Sequence, residues 1–181
     1  MNNPSVAQKF ISLYARARRE YGVKIYTKDT AWIVLWKVID FILKIISFGK
    51  NNKFLTHYTT TIGNRIFYPV GWTFDRIDKK DYAILRHELV HVKQYHSGGL
   101  GSFKLGVITM GILYIAVFLP IGLAWFRYYF ERNAYLESIK AYKDVGITVK
   151  ADRYVEYLTG STYIWAWPFK KRVRKWFDVR C

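Results

Sequence analysis

Hydrophobic and polar positions follow two different periods along this chain, and each change of period marks a predicted element. Val6, Phe10, Leu13, Tyr14 and Ala17 recur at helical spacing, with Asn3 and Pro4 as N-cap and first helical position and Gly22 as the stop. Arg16, Arg18 and Arg19 crowd the last turn, where cations suit the helix dipole. From Ala31 to Phe48 every position is apolar except Lys37, Asp40, Lys44 and Ser47, which share one arc of about 80° on a helix. Such a helix would reach about 27 Å, near the thickness of a bilayer's hydrocarbon, but two charges close to its middle make a lone lipid-facing span costly. A buried or interfacial helix with an Asp40 to Lys44 pair is expected instead.

The texture then turns β-branched and aromatic. Tyr58 to Ile62 and Arg65 to Tyr68 flank Gly63-Asn64, which predicts a hairpin or an edge strand with a turn. Pro69 directs the second run to a sheet edge, and an exposed edge would accept an extended peptide by strand addition. Asp78 is placed to cap a helix over 79–96, with Asp81 in its first turn. The run from Leu105 to Phe126 carries no charge, as a transmembrane helix would, but Leu119-Pro120-Ile121-Gly122 interrupts it. Helical character returns at Phe130 and continues to Lys143, ahead of Gly146.

Together these elements predict one mainly α, α+β domain over 1–181. It comprises N-terminal helices over 1–56, a β element over 57–75, helices over 79–143 that include an apolar hairpin at 103–126, and a basic aromatic segment over 147–181.

Composition sharpens this picture. Hydrophobic residues make up 51% of the chain and aromatics 19%, which argues against disorder and favours a packed core with lipid contact. Lys and Arg number 29 against 13 Asp and Glu, a net charge of +16, so an anionic partner is expected, a membrane surface ahead of nucleic acid. From Pro168 to Cys181, six basic residues less Asp178 leave +5. Trp165, Trp167 and Trp176 lie in or beside that stretch, a mixture that suits a solvated packing helix, lipid headgroups or phosphates. No nucleic-acid fold signature accompanies it.

Cys181 is the only cysteine, so no intrachain disulfide forms, and Asp178 stands where a prenylation box needs Cys. The first 22 residues lack the uninterrupted apolar core of a secretory signal. A cytoplasmic protein, or one on the cytoplasmic side of a membrane, is expected.

The candidate chemistry lies inside the 79–96 helix, at His87-Glu88-Leu89-Val90-His91. On a helix the two histidines fall within about 40° of each other, one turn apart, while Leu89 and Val90 point toward a core. Two neutral imidazoles suit Zn²⁺, whose catalytic sites take three protein ligands and keep a fourth position for water. Glu88, about 60° from His91, is placed as the general base that takes a proton from that water.

H-E-x-x-H followed some tens of residues later by Glu131-Arg132-Asn133-Ala134 resembles the gluzincin metallopeptidases. The likeness is closest to their membrane-associated branch, which includes the prenyl-protein-processing and heat-shock-type endopeptidases. The resemblance implies a zincin-like active-site helix, a peptide or protein substrate, His87, His91 and Glu131 as zinc ligands, and Glu88 as the base. Ala134 would let the two helices approach.

The chain departs from that pattern at Tyr135, where the family commonly has Asp, and in an intervening apolar segment too short for two full spans. A small relative that lies against or dips into a membrane is the description that follows. An unbroken helix from Ser102 would carry residue 131 about 43 Å away, so the apolar hairpin must return the chain to the site.

Other titratable groups are less well placed. His96 falls on roughly the opposite face of the helix from His87, and Glu137 about 240° round from Glu131. His57, Arg153, Tyr154 and Tyr157 are available as oxyanion donors, and none is assigned. The competing expectation is a non-catalytic basic protein, bound to membrane or nucleic acid, whose metal site is structural or vestigial.

Overall fold

The computed structural model describes residues 4–46, 53–97, 124–160 and 169–181. The protein is mainly helical, with one small mixed sheet. The helix α1 spans Val6–Tyr21. Its N-cap is Ser5 rather than the expected Asn3. The Ser5 hydroxyl accepts from the Gln8 amide at 3.2 Å, and the Gln8 side chain accepts from the Ser5 amide at 2.7 Å. This reciprocal box satisfies two orphan donors, which an Asn-Pro start two residues earlier would not do. Gly22, at φ 64°, closes the helix in the left-handed conformation expected of it.

A strand β1, Lys24–Thr27, follows at once, so the expectation of helices alone over 1–56 is corrected. β1 pairs in parallel with β3, Arg65–Tyr68, setting Tyr26 opposite Phe67. β2, Thr60–Ile62, pairs with β3 in antiparallel, setting Thr61 opposite Ile66. The sheet order is therefore β1-β3-β2. The predicted hairpin is present, with Gly63 at φ 62° in its turn. The placement of its second run at an edge is wrong, because β3 is the central strand. Pro69 lies one residue past β3 and removes no ladder hydrogen bond. Four residues of half-buried pattern gave β1 no local signal, and a parallel pair is joined only through a long crossover.

Between β1 and β2 lie α2, Ile33–Ile46, and the short α3, Phe54–His57, so His57 ends a helix rather than opening a strand. On α2, Trp36 and Asp40 are buried, while Val34, Val38, Phe41 and Ile45 are at least half exposed. The predicted polar arc is thus split: Asp40 turns inward, Lys37 stays in solvent, and Lys44 reaches back to Asp40 at 2.6 Å.

A helix over 79–96 is borne out as α4, Lys79–Ser97. Asp78 caps it as expected, accepting from the Asp81 amide at 2.8 Å while the Asp81 carboxylate accepts from the Asp78 amide at 3.0 Å. α5, Ala124–Asp144, packs along α4 and ends before Gly146, at φ 74°. Of the expected apolar hairpin at 103–126, residues 103–123 lie outside the described residues, as do Asn3, Ser47 and Phe48. Among the described residues, no helix is long and apolar enough to cross a membrane.

Two apolar clusters hold these elements. One gathers Phe10, Val23, Ile66, Leu85, Leu89 and Val92 where α1 and the sheet meet α4. The other joins α5 to α6, Asp152–Thr159, and α7, Lys170–Asp178, through Tyr135, Ile139, Leu158, Val173 and Phe177. The basic C-terminal helix α7 thus buries one face. Its cations Lys170 and Arg174 pair with Glu156 and Asp152 of α6.

Candidate metal centre

The α4–α5 seam brings together the three residues nominated as ligands. His87 Nε2 and His91 Nε2 face each other at 3.3 Å, and Glu131 Oε2 lies 3.5 Å from the first and 3.8 Å from the second. A tetrahedral ion with bonds of about 2.0–2.1 Å would hold neighbouring ligand atoms about 3.3–3.4 Å apart. The triangle is therefore within a few tenths of an ångström of what zinc requires. His91 and Glu131 are buried and His87 is half-buried.

Hydrogen bonding on the far side of each imidazole determines what it offers to the centre. His91 Nδ1 lies 2.9 Å from Gln94 Oε1, while Gln94 Nε2 donates to the Phe130 carbonyl at 3.2 Å. That second bond orients the amide, so its oxygen faces His91 and accepts the Nδ1 proton. His91 Nε2 is left with its lone pair turned inward.

His87 Nδ1 lies 3.3 Å from Ser138 Oγ, whose own proton goes to the Ala134 carbonyl at 3.4 Å, so the hydroxyl oxygen accepts here too. With those tautomers, two imidazole lone pairs and a carboxylate oxygen face one another, a donor set that could hold one cation. Burial opposes charge on His87, but Glu131 and Glu88 outweigh it and raise its pKa above the ordinary imidazole value.

Glu88 stands apart from the triangle. It is 6% exposed and accepts from the Thr61 hydroxyl on β2 at 2.7 Å. The Tyr95 hydroxyl in turn donates to the Thr61 carbonyl at 3.3 Å, tying the edge strand to α4 beside the site. One carboxylate oxygen of Glu88 is occupied by Thr61, and the other carries the remaining capacity to accept a proton.

The less favoured groups fall where helix geometry put them. His96 packs its ring against Tyr21 of α1 at 5.2 Å, on the other side of α4. Glu137 is engaged by Arg86 at 2.5 Å and Lys140 at 2.8 Å. His57 pairs with its neighbour Thr56 at 2.7 Å. Tyr135, at the position where the family pattern has Asp, lays its ring 4.8 Å from that of His87. The Tyr154 ring lies tilted against that of Tyr135 at 4.7 Å, and Tyr157 accepts from Arg153 Nε at 2.8 Å.

Sequence reasoning missed Thr61, Gln94 and Ser138. Two of them had a signal: Gln94 follows His91 by one helical turn, and Ser138 falls within about 20° of Glu131. Thr61 had none, because its approach to Glu88 depends on how the sheet docks.

No protein-family model matches the chain, and no curated protein or solved structure matches it.

Proposed function

We propose that the chain is a zinc-dependent endopeptidase that acts on a protein or peptide substrate, peripheral to or dipping into a membrane on its cytoplasmic side. The observation that supports this reading best is the convergence of His87, His91 and Glu131, their ligand atoms all within 4.8 Å of one another, with Glu88 alongside. His87, His91 and Glu131 would hold the ion, and Gln94 and Ser138 keep both imidazoles in the tautomer that binding needs. Bound there, zinc would polarise the scissile carbonyl and bring its water to a pKa of about 7. Glu88 takes the proton of the attacking water and returns it to the leaving amine. The Thr61 hydroxyl holds Glu88 in the orientation for that transfer. The outer edge of β2, which carries Thr61 and pairs with no further strand among the described residues, offers a main chain along which an extended peptide would lie.

A second reading takes the metal site as structural or vestigial in a basic protein that binds membrane or nucleic acid, and its motive is the net charge of +16. The two readings separate in one experiment. Elemental analysis should find one zinc per chain in the wild type, and none in His87→Ala or Glu131→Ala. Glu88→Gln should keep the metal and lose about 10²–10⁴-fold in cleavage of a peptide library. Full metal loading with no cleavage by the wild type would favour the structural reading, and a folded protein that takes up no zinc would defeat the peptidase reading.

A further inference from the structure

The surface feature least accounted for by the site is α2, which is built inside out. Val34, Val38, Phe41 and Ile45 follow one another at helical spacing and are 75%, 50%, 64% and 61% exposed, with Leu35 and Ile42 beside them. They form an apolar ridge about 17 Å long. Asp40, the only acid on the helix, is turned inward and paired with Lys44. The exposed face therefore carries no negative charge. Lys37, exposed, borders the ridge about 70° from its centre line, close enough for its stem to lie along it with the ammonium group in water, while Lys44 turns away to Asp40. At the N-terminal end Trp32 is 42% exposed, with the Arg65 guanidinium 5.4 Å over its ring. An aromatic and a cation together at one end suit the headgroup level of a bilayer.

We infer that this face of α2 docks onto an anionic lipid bilayer, the ridge entering the outer acyl layer and the flanking cations meeting the headgroups. The proposal gives the peripheral membrane placement a named element, and it rests on the surface of α2 rather than on the metal centre. Charge decides between occupants. Lys37 is exposed beside the ridge, the helix turns no acid outward, and the chain carries a net charge of +16. A second copy would bring the same excess of positive charge against this face, whereas an anionic surface neutralises it.

Co-sedimentation with phosphatidylglycerol vesicles, against phosphatidylcholine vesicles, tests this for the full chain and for Phe41→Glu and Ile45→Glu. Both positions are exposed, so the variants should keep the wild-type circular dichroism and zinc content. The wild type should bind phosphatidylglycerol in preference. Each substitution should raise the lipid concentration for half-binding about tenfold or more. The proposal is overturned by a wild type that sediments with neither vesicle or equally with both, or by variants that bind as the wild type does, which would move the contact to another surface. It is also overturned if ultracentrifugation shows a wild-type dimer that the glutamates dissociate. Vesicle binding by a protein that takes up no zinc would leave this inference standing and remove the peptidase reading alone.

Discussion

Along the α4–α5 seam, polar atoms are buried where apolar ones are the rule; on α2, apolar side chains face solvent and the one acid is buried. The seam meets its desolvation cost locally. His91 is partnered by Gln94, His87 by Ser138 and Glu88 by Thr61. Among the described residues the outward face of α2 has no such partner, and what it leaves exposed is apolar surface. A buried polar cluster partnered from within and an apolar ridge left exposed are thus opposite answers to the cost of meeting solvent.

Lys28 connects the two regions. It is 2% exposed and donates to the carbonyls of Phe54 at 3.0 Å and Tyr58 at 2.7 Å, with its ammonium 3.7 Å over the Phe54 ring. Burial pulls its pKa down from 10.5 to about 8, against an upward pull from Glu88 in the seam and Asp40 on α2.

The sharpest way to break the contrast is at Trp36, which anchors α2 by its inward face. Trp36→Ala should cost about 3–5 kcal/mol in urea unfolding. A loss below about 1 kcal/mol would mean that α2 is not held as described.

Lys28→Met addresses the link. Between pH 8 and 10.5 the unfolded chain would keep a proton that the folded one has released, so Lys28 makes stability rise with pH across that window. The unfolding free energy of the wild type relative to Lys28→Met should climb by on the order of 1–3 kcal/mol over it. A flat difference would show that Lys28 is not buried as a cation.

Gln94→Leu removes both the acceptor for His91 and the tie to Phe130, and calorimetry should show a 10–100-fold loss of zinc affinity, or about 1.4–2.7 kcal/mol. Unchanged affinity would reduce Gln94 to a bystander. The smallest effect belongs to the outward ridge: Val34→Ser should leave stability within about 0.5 kcal/mol in the absence of lipid. A larger loss would mean that Val34 is covered.

How far each region could be read in advance follows the range of the forces involved. The pairing of His87 with His91, the exclusion of His96 and the Asp78 cap follow from residues a turn or so apart on one helix, and all three are found. The pairing of Asp40 with Lys44 is found for the same reason. Which way that pair faces was not readable. A polar arc on an apolar helix is expected to point to water, but here a buried lysine on a neighbouring segment gives Asp40 a reason to turn inward.

The sequence by itself determined whatever lies within one helical period: the start of α4, the shared face of the two imidazoles, the stops at Gly22 and Gly146, and the turn at Gly63. Only the tertiary structure decided that β3 is central, that β1 exists, that Glu131 comes within 4 Å of both histidines, and that α2 presents its apolar side outward. The physical reason is that helix geometry and capping are set by covalent neighbours. Parallel pairing, helix docking and the facing of an amphipathic helix depend instead on which distant surface is there to be buried against.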